Sequence, residues 1–136
     1  MTKICIIDGQ GGGIGSAIIK QIKAVFYETV EIIALGTNAI ATANMLKAKA
    51  NFGASGENAI VKTVKKVDYI AGPIGIVLPN AMMGEITTKM AEAISDSPAV
   101  KLLLPLSREN IEIVGMPLTP LPKLVEKLVN EYFTKI

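Results

Sequence analysis

The chain has 136 residues, of which 50% are hydrophobic and 19% are charged, and its formal net charge is +2. This length suits one domain with a substantial core. So small a net charge, together with three Tyr, three Phe and no Trp, argues against a nucleic-acid-binding surface. The chain contains no histidine, so it lacks the commonest general base and the usual zinc ligand, and we expect no metal site.

The apolar character of the chain does not point to a membrane protein. Mean hydropathy is +0.44, yet no apolar run approaches the roughly 18 residues that a membrane span needs. The first residues lack the basic segment and the long apolar core of a secretory signal. A single cysteine, Cys5, excludes an internal disulfide framework and suits a reducing compartment. The sequence therefore predicts a cytoplasmic protein in which Cys5 is a buried thiol.

Short apolar runs alternate with segments in which apolar residues recur every three or four positions, as expected for strands alternating with helices. In chain order, the predicted elements of the first half are a strand at 3–8, a helix from 14 to 26, a strand at 30–35, a helix from 38 to about 49, a brief strand at Phe52 and a helix at 56–66. Thr37 or Asn38 is suited to cap the second of these helices, and Ser55 the third.

The second half continues the alternation. Its predicted elements are a strand at 68–72 stopped by Pro73, a helix at 86–95, strands at 100–104 and 111–114, and a last helix from 121 to 133 with a full apolar stripe that includes Tyr132. The run at 74–84 fits either a strand or a helix. Near-continuous apolar strands between helices predict one α/β domain over 1–136, with a doubly wound, mainly parallel, Rossmann-like sheet covered by helices on both faces.

The segment DGQGGGIG, residues 8–15, lies between the first predicted strand and the first predicted helix. Parallel sheets bind ligands outside the carboxyl ends of their strands, and a helix N-terminus attracts a phosphate. Glycines would let a phosphate approach the backbone, although a tight turn would also select them. The spacing Gly9-x-x-x-Gly13-x-Gly15 resembles the cofactor loop of short-chain dehydrogenases, and this resemblance implies NAD or NADP.

The rest of the dehydrogenase pattern is absent. The end of the second strand has Gly36, Thr37 and Asn38 where dinucleotide sites usually have a ribose-binding acid, although Asn38 could bond a ribose. No tyrosine is followed by lysine at the fourth position. We therefore expect a small-molecule nucleotide ligand, and a dinucleotide in particular, whose phosphates are bound by Gly9 to Gly15 without the dehydrogenase chemistry, in a sensor or an accessory subunit. A small NAD(P)-dependent oxidoreductase and an interaction module without a small ligand are the alternatives.

Other polar segments are expected near the same crevice. Pro73 lies where it could form a wall against a ring or simply turn the chain. Arg108, the only arginine, suits a phosphate, or a surface ion pair with an acid such as Glu109. Glu57 and Glu85 either complement helix dipoles or face the ligand. The predicted binding residues are Asp8, Gly9, Gln10, Gly11, Gly12, Gly13, Ile14, Gly15, Gly36, Thr37, Asn38, Gly72, Pro73, Ile74, Ser107 and Arg108.

Over most of its length the chain resembles a short, uncharacterised bacterial family, a domain of unknown function, which implies no activity. The stretches that carry this resemblance are DGQGGGIG, ALGTNAIAT, GASGENAIV, GPIGI and GEITTKMAEAI. The high apolar fraction of so short a chain further predicts a homo-oligomer, and a dimer in particular. The expected contact surfaces are 76–84, where Met82 and Met83 could otherwise belong to the core, and the last helix.

Overall fold

The computed structural model describes residues 1–106, 109–134 and 136, and within this part of the chain five strands form one parallel sheet. The strands are β1 (Thr2–Asp8), β2 (Val30–Gly36), β3 (Phe52–Ser55), β4 (Tyr69–Pro73) and β5 (Val100–Leu104). Their order across the sheet is β3-β2-β1-β4-β5, and each neighbouring pair is parallel. The chain runs outward from β1 to β3 and then returns to β4, so the strand order reverses between β1 and β4.

Helices connect the strands and cover both faces of the sheet. They are α1 (Gly13–Phe26), α2 (Ala39–Lys47), α3 (Glu57–Thr63), α4 (Thr88–Asp96) and α5 (Leu121–Lys127), with a 3₁₀ turn at Ile74–Val77 and a π-helical turn at Leu128–Tyr132. The predicted fold class, a doubly wound parallel α/β sheet, is confirmed. None of the described helices is long and apolar enough to cross a membrane.

The alternation of side chains along β1 divides the core into two layers. Ile4 and Ile6 point to one face, where they join the buried residues of α1, α2 and α5. Cys5 and Ile7 point to the other face, among the buried residues of α3 and α4. Cys5 is completely buried, and this burial raises the pKa of its thiol, so the group stays protonated. All four side chains are inaccessible, which explains why β1 is apolar without interruption from Ile4 to Ile7.

The end of the chain packs through one aromatic residue. Phe133 makes edge-to-face contacts with Phe26 of α1 and Tyr69 of β4, with ring centroids 6.1 Å and 5.1 Å apart. Such pairs add to the free energy that burial alone supplies. Tyr132, which the sequence placed on the buried stripe, is instead 50% exposed, because the last turn is π-helical and its residues no longer follow the α-helical spacing.

Several local predictions are wrong, each for a physical reason. Residues 111–114 form no strand: they are exposed and pair with no described strand, and an apolar β-like run becomes a strand only where a partner edge is available. Ser55 ends β3 and does not cap α3, since its hydroxyl donates to Thr42 Oγ1 at 2.7 Å. Pro73 does not stop β4 but is its last residue.

The predicted cap of α2 is confirmed, and α4 begins in the same way. Asn38 Oδ1 accepts the N–H of Ala41 at 2.9 Å, and Thr87 Oγ1 accepts the N–H of Met90 at 3.1 Å. Because Thr87 is the cap, α4 starts at Thr88, two residues later than the apolar spacing predicts. Each cap satisfies a backbone donor that the first helical turn leaves unpaired.

Candidate functional site

A cleft of about 900 Å³ lies where the strand order reverses, at the carboxyl ends of β1 and β4. This is the position at which open α/β sheets bind ligands, and the volume is within the usual range for small-molecule sites. Its described lining consists of Asp8, Gly9, Gln10, Gly11, Gly12, Gly13, Ile14, Pro73, Gly75, Asn80, Met82, Met83, Gly84, Leu106 and Glu109. The lining therefore comes from the glycine loop, the end of β4, the segment 80–84 and the segment after β5.

The glycines of the loop fall into two groups. A methyl group on Gly9 would lie 2.6 Å from both Met82 Sδ and Thr37 Oγ1, and one on Gly12 would lie 2.8 Å from the carbonyl oxygen of Ala41. Gly12 also has a φ of 72°, a conformation that costs other residues energy. Packing inside the protein therefore explains Gly9 and Gly12.

Gly11 and Gly13 form the second group. A methyl group on either would meet no described atom within 4 Å, and neither residue has a positive φ. Both residues line the cleft. Neither steric crowding nor backbone conformation in the described structure requires glycine at these two positions.

The backbone N–H groups of the loop show the same division. The N–H groups of Gly9, Gln10 and Gly12 donate to Asp8 Oδ1, Glu85 Oε1 and the Gly9 carbonyl, respectively. Within the described part of the chain, no acceptor bonds the N–H of Gly11 or Gly13. At Gly11 and Gly13, the absence of a side chain thus coincides with an unpaired backbone N–H group. Both residues lie beside the first turn of α1, where the helix dipole favours an anion.

Asp8, the last residue of β1, is buried, and its side chain bonds the glycine loop. Its two carboxylate oxygens accept the N–H of Gly9 at 2.8 Å and the N–H of Gly15 at 2.7 Å. Burial raises the pKa of Asp8, the N–H groups of Gly15, Gly9 and Ile14 act in the opposite direction, and the charge of Glu85 raises it further. The net result is a pKa above the ordinary value, on a carboxyl group whose hydrogen bonds are made within its own loop.

Glu85 joins the glycine loop to the end of β2. Its Oε1 atom accepts the hydroxyl of Thr37 at 2.5 Å, the N–H of Gln10 at 2.8 Å and the amide of Asn38 at 2.9 Å. Burial alone would raise the pKa of Glu85, but the bonds from Thr37, Gln10 and Asn38 outweigh it and leave the pKa below its ordinary value. The carboxylate is therefore ionised at neutral pH. The sequence predicted only that Glu85 lies near a helix start or near the crevice, and not that it bonds both the loop and the end of β2.

The segment 80–84 forms one wall of the cleft in an unusual conformation. Asn80, Met82 and Met83 have φ values of 70°, 58° and 58°, and Gly84 has a φ of 89°. Residues other than glycine adopt such values at an energetic cost, and they cluster at ligand sites. The wall is anchored on the far side by Glu109, whose Oε1 accepts the N–H of Met82 at 2.9 Å.

The second glycine-rich helix start, 53–59, lies outside the cleft lining. Glu57 accepts the hydroxyl of Thr87 at 2.6 Å and so links the first turn of α3 to the start of α4. This contact explains Glu57 without a ligand. Among the described residues, no group of three or more Cys, Asp or Glu side chains is arranged to hold a metal ion.

The structure brings together only part of the predicted binding set. The loop residues 8–14 and Pro73 line the cleft, whereas the remaining described members do not. Those outside the lining are Gly15, Gly36, Thr37, Asn38, Gly72 and Ile74. A methyl group on Gly15, Gly36 or Gly72 would clash with neighbouring protein atoms, and Ile74 faces a different groove, whose other described lining residues lie at 105–106 and within 109–124. Ser107 and Arg108 lie outside the described residues.

Several lining residues were not in the predicted set. They are Gly75, Asn80, Met82, Met83, Gly84, Leu106 and Glu109. A sequence signal exists for two of them, since Gly75 lies two residues after Pro73 and Glu109 directly follows Arg108. The segment 80–84 gave none, because left-handed conformations at methionine cannot be read from composition.

Comparison with protein families identifies residues 3–136 with the family described as Domain of unknown function (DUF3842). The chain belongs to this family. A comparison with curated proteins finds no match.

A solved structure with a related fold is the dodecameric FMN-dependent UbiX-like decarboxylase from Escherichia coli O157:H7. It is 15% identical, with a TM-score of 0.44 over 95% of this chain and 90% of that chain. We draw neither a ligand nor a reaction from a similarity of this degree.

Proposed function

We propose that the cleft binds a nucleotide whose phosphate lies over Gly11 and Gly13. The observation that carries this proposal is the coincidence, at these two residues, of an unpaired backbone N–H, an open Cα and a position in the cleft. A phosphate oxygen accepts such donors well, and the dipole of the 14-residue helix α1 favours its charge. No side chain would hold the phosphate away from the backbone.

The rest of the cleft is suited to the ring system of the ligand. Ile14, Pro73, Met82 and Leu106 provide apolar surface on several sides, and methionine sulfur makes favourable contacts with aromatic rings. Asn80 adds a polar group that can fix the orientation of a base. A cleft with apolar walls and a few polar groups is the usual form of a small-molecule site.

Binding without catalysis is the form of the proposal that the lining favours. Its described titratable side chains are Asp8 and Glu109, and both bond backbone N–H groups of the protein. A sensor or an accessory subunit needs no more than such a site. NAD and NADP, the cofactors implied by the glycine spacing, are candidates to be tested with the other nucleotides.

Thermal unfolding with matched ligand pairs tests the proposal. The wild-type protein is melted with AMP, FMN, NAD and NADP, and in parallel with adenosine and riboflavin, which lack the phosphate. A ligand at 100 times its Kd stabilises the folded state by about 2.7 kcal/mol, so we expect a clear rise in Tm with at least one phosphorylated compound. The unphosphorylated partner should give a much smaller rise. If no nucleotide raises the Tm, and mass spectra of the purified protein show no bound nucleotide, the alternative of an interaction module is favoured.

We also propose that the protein self-associates, through the exposed segment 111–118. Val114 and Leu118 are essentially fully exposed, and Ile111, Ile113 and Met116 are 41–51% exposed. Contiguous apolar surface of this kind marks interaction sites. In the two contact surfaces expected from sequence, 76–84 and the last helix, the large apolar residues that are exposed are Met83 and Tyr132. Sedimentation should show a dimer or larger species at micromolar concentration, and replacing Val114 and Leu118 by lysine should yield monomer.

A further inference from the structure

We propose that Glu85 closes the cleft on its β2 side, and that the site therefore takes a mononucleotide and excludes a dinucleotide. This inference rests on the proposed function, because it specifies which class of nucleotide the same cleft accepts. It concerns the place where the second nucleoside of a dinucleotide would have to lie.

In a dinucleotide-binding sheet of this order, one nucleoside lies beyond the end of β2, next to the glycine loop. Here the residues at that end, Gly36, Thr37 and Asn38, are not part of the cleft lining. The cleft instead extends from the glycine loop toward β4 and the segment after β5, which contribute Pro73 and Leu106. The open volume therefore lies on one side of β1.

Glu85 occupies the other side. Its Oε1 atom accepts hydrogen bonds from the Thr37 hydroxyl and the Asn38 amide at the end of β2, and from the N–H of Gln10 in the loop, at 2.5–2.9 Å. The Asn38 side chain is engaged further, since its amide donates to the Gln10 carbonyl at 3.0 Å and its Oδ1 caps α2. The groups that could bond a ribose at this position are thus bonded to the protein.

Gly9 shows that the closure is built into the packing. This is the first glycine of the pattern that resembles a dinucleotide loop, and its bare Cα is covered by Met82, Thr37 and Glu85. A methyl group there would lie 3.0 Å from Glu85 Oε1. Met82, Met83 and Gly84, the three residues before Glu85 in the chain, have left-handed φ values, so the protein maintains an unfavourable conformation at two non-glycine residues close to the closing carboxylate.

Charge acts in the same direction. The described charged residues of the lining, Asp8 and Glu109, are acidic, and Glu85 adds a third carboxylate at the closed end. A pyrophosphate with a second nucleoside beyond the end of β2 would bring more negative charge to Glu85 than a single phosphate over Gly11 and Gly13.

The test compares AMP and FMN with NAD by calorimetric titration of the wild type, of two Glu85 variants and of one control variant. We expect the wild type to bind at least one mononucleotide ten-fold or more tightly than NAD. Glu85→Ala removes the closing group and should tighten NAD binding at least ten-fold. Glu85→Gln keeps an oxygen that can accept the donors of Thr37 and Asn38 but removes the charge, so it should retain most of the wild-type preference, and the part that is lost measures the contribution of charge. Glu57→Ala, which removes another carboxylate bonded to a threonine hydroxyl, is the matched control and should leave the preference unchanged.

The outcomes separate the two proposals. Wild-type protein that binds NAD as tightly as a mononucleotide overturns the closure and leaves the proposed function intact, and this comparison needs no variant to fold. A folded Glu85→Ala protein with unaltered preference overturns the role of Glu85. Absence of binding by every nucleotide, to the wild type and to Glu85→Ala, overturns the proposed function and the closure with it.

Discussion

The two glycine-rich helix starts of this chain, 8–15 and 53–59, look alike in sequence and have different surroundings. Each follows a strand, opens a helix and has a carboxylate close by, Asp8 in the first and Glu57 in the second. The first borders the cleft at the strand reversal. The second follows the edge strand β3, and its carboxylate is bonded to Thr87. Position in the sheet, more than glycine content, therefore distinguishes a candidate ligand site from a turn.

The largest effect is expected at Gly12, which belongs to the first start but is explained by packing. Gly12→Ala places a methyl group 2.8 Å from a backbone carbonyl at a φ of 72°. The left-handed conformation and the overpacking together should lower the free energy of unfolding by about 3 kcal/mol. Urea unfolding measures this loss. A variant as stable as the wild type would show that the loop relaxes freely.

Gly13→Val, one residue further, should weaken nucleotide binding while leaving the stability of the fold nearly unchanged. The side chain projects into open space at a helical position, so the free energy of unfolding should change little. It would occupy the proposed phosphate position, and the loss of affinity should be at least 100-fold, or about 2.7 kcal/mol. The check is the melting temperature with and without the best nucleotide. Unchanged affinity in the folded variant would assign these glycines to the turn alone.

Gly56→Ala is the corresponding change in the second helix start. Gly56 has a φ of 96° and a ψ of 176°, a region almost restricted to glycine. We expect the free energy of unfolding to fall by about 2 kcal/mol, while the ligand-induced rise in Tm stays as in the wild type. A loss of binding here would contradict the distinction between the two starts.

The smallest expected effect is on the pH dependence of stability, through Asp8 and Glu85, the two carboxylates that bond the glycine loop 8–15. The pKa of Asp8 is raised, so its contribution to stability is present at low pH and declines as pH rises through the folded-state pKa. The pKa of Glu85 is lowered, so its contribution is present above the unfolded-state pKa and declines as pH falls through the folded-state value. In urea titrations at several acidic pH values, Asp8→Asn and Glu85→Gln should change the pH slope of stability in opposite directions.

The fold was largely predictable from sequence because its signals are local. The apolar runs of β1, β2, β4 and β5 are short and uninterrupted, and the helices between them have regular apolar spacing. Residues 111–114 have the same apolar character, but strand formation depends on an available partner edge, which a local pattern does not reveal. The loss of periodicity at the last turn was equally invisible, because Leu128, Val129 and Tyr132 continue the α-helical apolar spacing in the sequence although the turn is π-helical.

The candidate site was predictable only where one contiguous segment forms it. The loop 8–14 was in the predicted set, whereas the wall at 80–84 depends on left-handed methionines and on contacts far apart in the chain. Glu85 bonds Gln10 and Thr37, which precede it by 75 and 48 residues. Sequence therefore indicated the loop at which we propose a phosphate, but not the side of the sheet on which the cleft opens.

The buried thiol of Cys5 has a practical consequence for labelling experiments. It is the only cysteine, it is inaccessible, and burial keeps it protonated, so thiol reagents should not modify the folded wild-type protein. A cysteine introduced at Met83, which lines the cleft, is 95% exposed and is not part of the proposed phosphate position, would be the sole reactive thiol. A fluorophore attached there would report occupancy of the cleft without background from the rest of the chain.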